Sequence, residues 1–519
     1  MNKLTLAYIN TIRLKLETIA SKSIDKGYLD KSIRLLKGLS YILYKFFMGI
    51  KNDFIENQIQ CLAGHIVKSG FNENNEKKSI VIIDEINADY IGLMVQYVDA
   101  LIQGGYHILY LYEQIEHPHV TNTHLMHALK DYENAQIKHI PTNVKGFSKS
   151  QWIYNEVCAF GAKKLLLHFG EWAIEHSIAC AALPKECDRY RINCADHCFW
   201  AGVSCTDYTF EFRHYGANLT YYERGIEKDH IIYMPFYPVM QETPYEGLPH
   251  ECSGKFVFFS GGALYKIVDD NSTYFNLCKL ILDNCPNSVM VFAGADGDNA
   301  VLSRGIEQFG LQGRFIPIGY RKDIFEVFKH CDVYFDTYPI GGGLMCRYAA
   351  QCSRPILLYR NKDLEECVSQ KKECSIVKYS ETDFLQEAIK LYTDTKYREI
   401  KGTEIHTAII NKTEFDEALL SFIDRRNNVN NVKWDANFTP RELKTDDAII
   451  YNNSKLAAFY FKLFKLLGFD SVLIMPGNVI SLSIYGIKRQ LNKLFKQLLY
   501  NGKKRRIEGS NPRANSRVF

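Results

Sequence analysis

The chain has 519 residues, a formal net charge of +4, 46% hydrophobic residues and 24% charged residues. A chain of this length is too long for one hydrophobic core, so we expect two or three domains of an ordinary globular protein. The small net charge does not indicate a nucleic-acid partner. Because no apolar run reaches the ~20 residues of a membrane-spanning helix, the sequence predicts no transmembrane segment.

Fifteen cysteines are scattered along the chain. No secretory signal heads the sequence, so we expect free thiols in a reducing cytoplasm rather than disulfides. Cys194 and Cys198 lie four residues apart, but no second pair with zinc-ligand spacing accompanies them. The sequence therefore predicts neither a disulfide framework nor a metal site.

Residues 1–71 are predicted to be helical. Apolar residues recur there at helical spacing. These residues are Leu35, Leu36, Leu39, Ile42, Leu43 and Phe46. The favoured interpretation is a helical prefix that packs on the first domain, and the alternative is a partner-binding module. A polar stretch at residues 72–78 then predicts a linker.

Residues 79–238 alternate between strand and helix patterns, which predicts a parallel, doubly wound sheet. The predicted strands are 79–83, 106–112, 136–140, 164–168 and 177–182, with a later one that ends at Met234, and a helix is predicted at 89–103. Residues 194–202 form a dense polar and aromatic run. The segment from Pro238 to Gly254 has no periodicity and is predicted to connect two domains.

A second alternation of strands and helices covers residues 255–400. The predicted strands are 256–260, 288–293, 314–317, 333–336, 355–359 and 375–378, and the predicted helices are 273–284, 299–309, 323–330, 344–352 and 381–392. The sequence therefore predicts an α/β protein with two Rossmann-like domains that face a cleft.

Two strands of the second domain end in glycine-rich turns. Gly261 and Gly262 follow the first of these strands, and a triple glycine at residues 341–343 follows the other and precedes a helix. Glycine lets backbone N–H groups approach a phosphate closely, and the helix N-terminus favours an anion. Ligands of open parallel sheets bind outside the carboxyl ends of the strands. These turns predict a phosphate-binding crevice.

Two such domains joined by one linker resemble the GT-B architecture of glycosyltransferases. Within it, the run Leu264-Tyr265-Lys266-Ile267, a helix ending in Ile281-Leu282 and the sequence Pro286-Asn287-Ser288 before a strand resemble the O-GlcNAc-transferase-like branch and its bacterial protein-glucosyltransferase relatives. Asp332-Val333, Phe335-Asp336-Thr337 and Pro355 resemble the same branch. The resemblance covers residues 256–359 well and residues 80–235 in outline.

The resemblance implies roles for several residues of the second domain. Lys266, at the predicted start of a helix after the first glycine turn, would bind the diphosphate of a nucleotide sugar and offset charge on the leaving group. Gly319 and Arg321 match the turn that holds uracil in relatives, with Arg321 on the base or a phosphate. The alternatives are a surface lysine and a plain arginine at the start of a helix.

The second phosphate turn is matched by Gly341, Gly342 and Gly343, with Asp336 just before it. This sequence departs from the family there. Relatives carry His and Thr residues where Gly343, Leu344 and Met345 stand, and an acidic ribose partner where Tyr348 stands. Arg347, just inside the helix, is a candidate for the replacement charge, with a solvated arginine as the alternative. The helix lacks the Glu-x7-Glu pair of retaining enzymes, which favours inverting chemistry.

An inverting enzyme needs a base that deprotonates the acceptor. His197 is the first candidate, because its neighbours Asp196, Cys198, Phe199 and Trp200 combine polar groups with aromatics that could stack on a sugar. The alternatives follow two predicted strands of the first domain. They are His168, Glu171, Asp84 and Asp89. The run at residues 296–298 has two aspartates but is interpreted as a turn, so no metal is predicted.

Residues 440–507 are predicted to form amphipathic basic helices. Residues 456–467 form an aromatic-rich helix, and residues 484–498 carry an apolar stripe beside lysines and an arginine. Four more basic residues follow at 503–506. Such a helix can lie on an anionic membrane surface. The alternative is a helix that packs its stripe on the first domain.

These patterns predict a cytoplasmic hexosyltransferase-type enzyme, possible at the inner face of the membrane. It would move a sugar from a UDP-linked donor to a glycan, lipid-linked or protein acceptor, with the nucleotide sugar as its co-substrate and no further cofactor. Two alternatives stay open. One is a sugar-nucleotide epimerase of the same fold, and the other is a non-catalytic nucleotide-sugar-binding or scaffold protein.

Overall fold

A computed structural model of the chain describes residues 6–46, 48–72, 78–86, 92–113, 123–240, 243–440 and 453–475. Within these residues the chain forms a seven-stranded sheet and a six-stranded sheet, and every strand pair in both is parallel. The predicted α/β class with two Rossmann-like domains is confirmed.

Three helices precede the first sheet: α1 (Leu6–Asp25), α2 (Leu29–Lys45) and α3 (Asp53–Ala63). Their apolar faces join the core on one side of the first sheet. An ion pair of 2.9 Å between Lys37 Nζ and a Glu175 carboxylate oxygen also ties the prefix to the first domain. The helical prefix therefore packs on that domain, as the favoured interpretation expects.

The first sheet has the strand order β3-β2-β1-β4-β5-β6-β7. Its strands are β1 (Ser79–Asp84), β2 (His107–Tyr112), β3 (Ala135–His139), β4 (Lys164–His168), β5 (Asp188–Ile192), β6 (Tyr208–Glu211) and β7 (Ile231–Tyr233). The helices between them are α4 (Leu93–Gln103), α5 (Thr123–Asp131), α6 (Phe147–Phe160), α7 (Ile174–Ala182) and α8 (His214–Leu219). The sequence of strands reverses direction between β1 and β4, which opens a crevice at their carboxyl ends.

The prediction of a fifth strand at residues 177–182 is wrong, because these residues belong to α7. The run is short, apolar and rich in alanine, so periodicity does not separate a buried helix from a strand. The fifth strand is β5, whose arginines hide its burial in the sequence. Arg189 and Arg191 are both nearly buried, and they donate hydrogen bonds to the carbonyls of Cys180 and Ala201 at 3.1 Å each.

The second sheet has the strand order β10-β9-β8-β11-β12-β13. Its strands are β8 (Phe256–Gly261), β9 (Ser288–Ala293), β10 (Phe315–Pro317), β11 (Val333–Phe335), β12 (Ile356–Tyr359) and β13 (Val377–Lys378). Its helices are α9 (Thr273–Asn284), α10 (Ala300–Phe309), α11 (Ile324–Lys329), α12 (Gly343–Gln351), α13 (Lys362–Val368) and α14 (Glu381–Thr393). Each predicted element of this domain is present.

Two further helices, α15 (Thr395–His406) and α16 (Lys412–Arg425), are not part of the sequence prediction. After α15 the chain returns to the first domain, where α16 packs against α4. The Phe415 ring meets the Tyr97 ring edge-on at a centroid distance of 5.1 Å. The core of the first domain is thus completed by residues that follow the second domain.

The described chain ends with α17 (Asn453–Leu467) and α18 (Asp470–Ile474). Helix α17 packs on α2, where the Phe459 ring stacks on Tyr41 at 5.5 Å. The predicted basic stripe at residues 484–498 lies outside the described residues. None of the helices that the structure describes is long and apolar enough to cross a membrane.

The packing of α16 predicts a large loss of stability for Phe415→Ala. The side chain is fully buried. Its removal leaves a cavity between α16 and α4, so we expect the free energy of unfolding of the first domain to fall by about 3–5 kcal/mol in a denaturant titration. Phe469→Ala is the control, since Phe469 is 94% exposed, and it should cost less than about 0.5 kcal/mol. Equal effects of the two substitutions would contradict this packing.

Candidate functional site

The first glycine turn stands at the carboxyl end of β8. Gly262 donates its N–H to the Ala293 carbonyl at 2.9 Å and has a φ of +152°. That backbone conformation favours glycine, because a Cβ is rarely tolerated there. A single 3-10 turn, Leu264–Ile267, follows, and α9 begins only at Thr273. The prediction that Lys266 starts the long helix after this turn is therefore wrong.

Lys266 instead joins the two glycine turns. Its Nζ atom donates to the Gly341 carbonyl at 3.3 Å, and its own carbonyl accepts a hydrogen bond from the Ile340 N–H at 3.3 Å. Among the described residues, the ammonium group is held by this neutral carbonyl and by no ion pair with a carboxylate. Its positive charge is therefore available to an anionic ligand at the crevice.

Asp336 is buried beneath the second glycine turn. Its carboxylate accepts hydrogen bonds from the Tyr334 hydroxyl at 2.7 Å and from the Gly342 N–H at 3.0 Å. Burial raises the pKa of Asp336 to about 6, although these hydrogen bonds oppose the rise. A Cβ on Gly341 would overlap Leu364 and come within 2.5 Å of the carboxylate. Asp336 thus holds the turn in place and does not face a ligand.

Helix α12 begins at Gly343, directly after this turn. Its first N–H groups have no partners within the helix and point toward the crevice edge. The Met345 side chain lies close to Gly261, so α12 also touches the first turn. The structure therefore brings together Lys266 and both glycine turns at one edge of the second sheet, with a helix N-terminus that favours an anion.

The predicted uracil turn lies beside this edge. Gly294, just after β9, donates its N–H to the Gly319 carbonyl at 2.7 Å. Arg321 is bound locally: its Nε donates to Asp323 at 2.6 Å, and its Nη1 donates to the Gly247 carbonyl at 2.8 Å. Tyr320, between them, is 83% exposed and presents the free aromatic surface of this turn. Sequence reasoning did not single out Tyr320.

Arg347 lies in the interface between the domains. Its Nε donates to the Cys367 carbonyl at 3.0 Å, and its guanidinium stacks 3.7 Å from the ring centroid of Phe236 in the first domain. Burial lowers the pKa of Arg347. Leu344 on the same helix packs against the cores of both domains. Helix α12 therefore fixes the phosphate turn relative to the first domain.

In the first domain, Asp84 and His168 end the neighbouring strands β1 and β4. Asp84 Oδ1 lies 2.8 Å from His168 Nδ1, and Asp84 Oδ2 accepts a hydrogen bond from the Tyr110 hydroxyl at 2.6 Å. Both Asp84 and His168 are buried. They form a fixed pair at the crevice rather than exposed groups. Asp89, the remaining aspartate candidate, lies outside the described residues.

Two carboxylates stand at the mouth of this crevice. Glu85 accepts a hydrogen bond from the Gly170 N–H at 2.6 Å. Burial raises the pKa of the half-buried Glu171, and the nearby charge of Glu85 raises it further. Glu85 was missed in the sequence, and its position directly after a buried strand could have revealed it.

His197 is the more accessible base candidate, with 47% of its side chain exposed. Its Nδ1 lies 3.0 Å from Asp196 Oδ1, and the same carboxylate pairs with Arg213 at 2.7 Å. Hydrogen bonds to Asp196 and Cys198 raise the pKa of His197 to about 9. Close to Arg213, the Tyr215 N–H donates to Glu366 of the second domain at 3.4 Å. This histidine therefore belongs to a charged cluster beside the domain interface.

The aromatics next to His197 do not offer a sugar-stacking surface. Phe199 and Trp200 are completely buried. The Trp200 ring lies between two guanidinium groups, those of Arg191 at 3.9 Å and Arg224 at 4.9 Å. Their burial corrects the expectation that they could stack on a sugar. Residues 296–298, interpreted as a turn, do form a turn before α10.

Among the residues that the structure describes, no three His, Cys, Asp or Glu side chains are arranged to hold a metal ion. The described cysteines are free thiols. The chemistry available at this site is therefore that of a lysine, a helix N-terminus and the acid–base groups of the first domain.

No family model matches the sequence, and no curated protein matches it. Among solved structures, an O-GlcNAc transferase mutant of Thermobaculum terrenum aligns with a TM-score of 0.50 and 13% identity, over 80% of this chain and 84% of that chain. Anabaena HepE in complex with UDP and glucose aligns with a TM-score of 0.47 and 12% identity, over 67% of this chain and 99% of that chain. At such identities the likeness concerns the fold alone. Together with the two parallel, doubly wound sheets, the first alignment shows that this chain has a GT-B glycosyltransferase-like fold.

Proposed function

We propose that the protein is an inverting glycosyltransferase that transfers a sugar from a nucleoside diphosphate donor, UDP-linked, to a hydroxyl or amide acceptor. The observation that carries the proposal is the convergence of Lys266 with both glycine turns at the carboxyl edge of the second sheet. Backbone N–H groups, a helix N-terminus and one ammonium group are the partners that a diphosphate requires.

In this mechanism the acceptor attacks the anomeric carbon of the donor, and the bond to the diphosphate breaks. Negative charge grows on the diphosphate as it leaves, and the Lys266 ammonium stabilises that charge. His197 takes the proton from the acceptor, with Asp196 holding its ring. Glu171 is the second candidate for this role, because its carboxylate is half-buried and its pKa is raised.

The acceptor is a glycan, a lipid-linked glycan or a protein. The O-GlcNAc transferase that shares the fold acts within the chemistry its name states, and we extend a sugar transfer of that kind to this chain as a proposal. A cytoplasmic location with attachment to an anionic membrane surface through residues 484–506 also belongs to the proposal and is drawn from the sequence.

A non-catalytic nucleotide-sugar-binding protein is the second candidate. It is favoured by the apolar Leu344 and Met345 at positions where relatives carry His and Thr residues. An epimerase has less support, because the one carboxylate described at the phosphate edge, Asp336, is turned inward to Gly342. Binding and turnover therefore need to be measured separately.

UDP is expected to raise the melting temperature of the protein, because a ligand that binds only the native state stabilises it by mass action. The measurement is thermal unfolding with increasing UDP, and ADP serves as the control nucleotide. Released UDP in a panel of UDP-sugars with acceptor then reports turnover. Binding without release would favour the non-catalytic protein, and absence of any UDP effect would contradict the nucleotide site.

Lys266→Ala is expected to lower the rate of transfer by about 10²–10³, because the charge on the leaving diphosphate loses its ammonium partner. Lys266→Arg should recover only part of the rate, since a planar guanidinium differs in shape and reach. The matched control is Lys279→Ala, which removes an exposed lysine of the same domain that pairs with Asp283 at 2.8 Å. Near-normal transfer by Lys266→Ala would move the phosphate site elsewhere.

The pH profile of transfer is expected to separate His197 from Glu171. His197 acts as a base only when deprotonated, and its pKa is about 9. With His197 as base, kcat/KM should therefore rise roughly tenfold per pH unit between about pH 6 and 8. His197→Ala should remove this rise and lower turnover by about 10². A profile that is flat over this range, and that Glu171→Gln abolishes, would assign the base to Glu171.

A further inference from the structure

Cys194 is one of two described cysteines that are exposed, the other being Cys61. It follows β5, and a hydrogen bond of 3.1 Å from its N–H to the Ile192 carbonyl fixes the start of its loop. Since β5 lies next to β4 in the sheet, this loop stands beside His168 at the carboxyl edge of the first domain. The thiol is thus at the crevice and not on a remote surface.

The His168 ring links this thiol to a carboxylate. Its Nδ1 lies 2.8 Å from Asp84 Oδ1, and the ring also forms a hydrogen bond with the Cys194 side chain. Because Nδ1 is engaged by Asp84, Nε2 is the nitrogen left for the thiol. The Tyr110 hydroxyl holds the other Asp84 oxygen at 2.6 Å. A thiol, an imidazole and a carboxylate in this order activate a cysteine nucleophile.

The charges around the thiol favour its reactive form. Burial opposes protonation of His168, but Asp84 and Cys194 outweigh it and raise the pKa of His168 well above its ordinary value. Arg191 lies within electrostatic range of Cys194 and donates to the carbonyls of Ala201 and Gly170 at 3.1 and 3.3 Å. An imidazolium and a guanidinium near a thiol stabilise the thiolate, which is the nucleophile.

We propose that Cys194 is a reactive thiol, activated by His168 and Asp84, that exchanges with small disulfides at the crevice of the first domain. The Cys194 thiol passes its proton to His168, and the thiolate attacks one sulfur of the disulfide. The disulfide bond breaks as a new one forms with Cys194. The other half leaves as a thiolate and takes up the proton, so the products are a mixed disulfide and one free thiol.

This modification would have a consequence for the proposed function. The crevice edge that holds Cys194 is where the acceptor would enter, so a bound thiol compound would obstruct it. That consequence rests on the proposed glycosyltransferase activity. The reactivity of Cys194 does not, and it is therefore measured without any assay of transfer.

The test compares Cys194 with Cys61 in the same folded chain. The protein is mixed with oxidised glutathione at pH 7, samples are quenched with acid, and peptide mass spectrometry follows the mixed disulfide at each cysteine. We expect Cys194 to react about tenfold or more faster than Cys61, because exchange rates follow the thiolate fraction. An equal or slower rate at Cys194 would overturn the proposal.

Two substitutions then test the partners of the thiol. His168→Gln and Asp84→Asn should each bring the rate at Cys194 down toward that of Cys61, while the rate at Cys61 stays the same. Reaction at buried cysteines such as Cys278 would report unfolding of a variant, and the comparison within the unmodified chain still decides the proposal. An unchanged rate at Cys194 in folded His168→Gln would show that the imidazole does not activate it.

Discussion

The phosphate edge depends on one buried carboxylate. Asp336 is removed from water, which costs several kcal/mol for a charge unless hydrogen bonds replace the lost solvent. The Tyr334 hydroxyl and the Gly342 N–H supply those bonds. By binding the glycine turn from below, the carboxylate leaves the opposite side of the turn open, next to the start of α12. The Lys266 ammonium stays close to it and compensates its charge.

Helix α12 transmits this arrangement to the other domain. Its first residues border both glycine turns, while Leu344 and Arg347 pack against the first domain. Gln370 adds a polar link, donating to the Phe236 carbonyl at 3.1 Å and accepting from the Ile410 N–H at 2.8 Å. A change at the domain interface therefore reaches the phosphate turn through a single rigid helix, and the turn cannot be treated as an isolated loop.

The second domain could be predicted almost completely from the sequence, because its strands are continuous apolar runs separated by glycine or proline turns. The first domain was harder. In β5 the buried Arg189 and Arg191 find backbone carbonyl partners that only the folded chain provides. The same limit applied at the site: the glycine turns and Lys266 were recognisable, whereas the partners of Arg321 and Arg347 are tertiary contacts. Nothing in the sequence joined Cys194 to His168, since strand order alone brings them together.

The return of α16 to the first domain has a consequence for biosynthesis. Domains commonly fold in order as the ribosome releases them, the N-terminal one first. Here the apolar cluster around Tyr97 lacks Phe415 and Phe422 until the chain has been made as far as α16. The second domain, whose strands lie entirely between Phe256 and Lys378, has its whole sheet available earlier. On the ribosome, the domain that is synthesised second is thus the one that can be finished first.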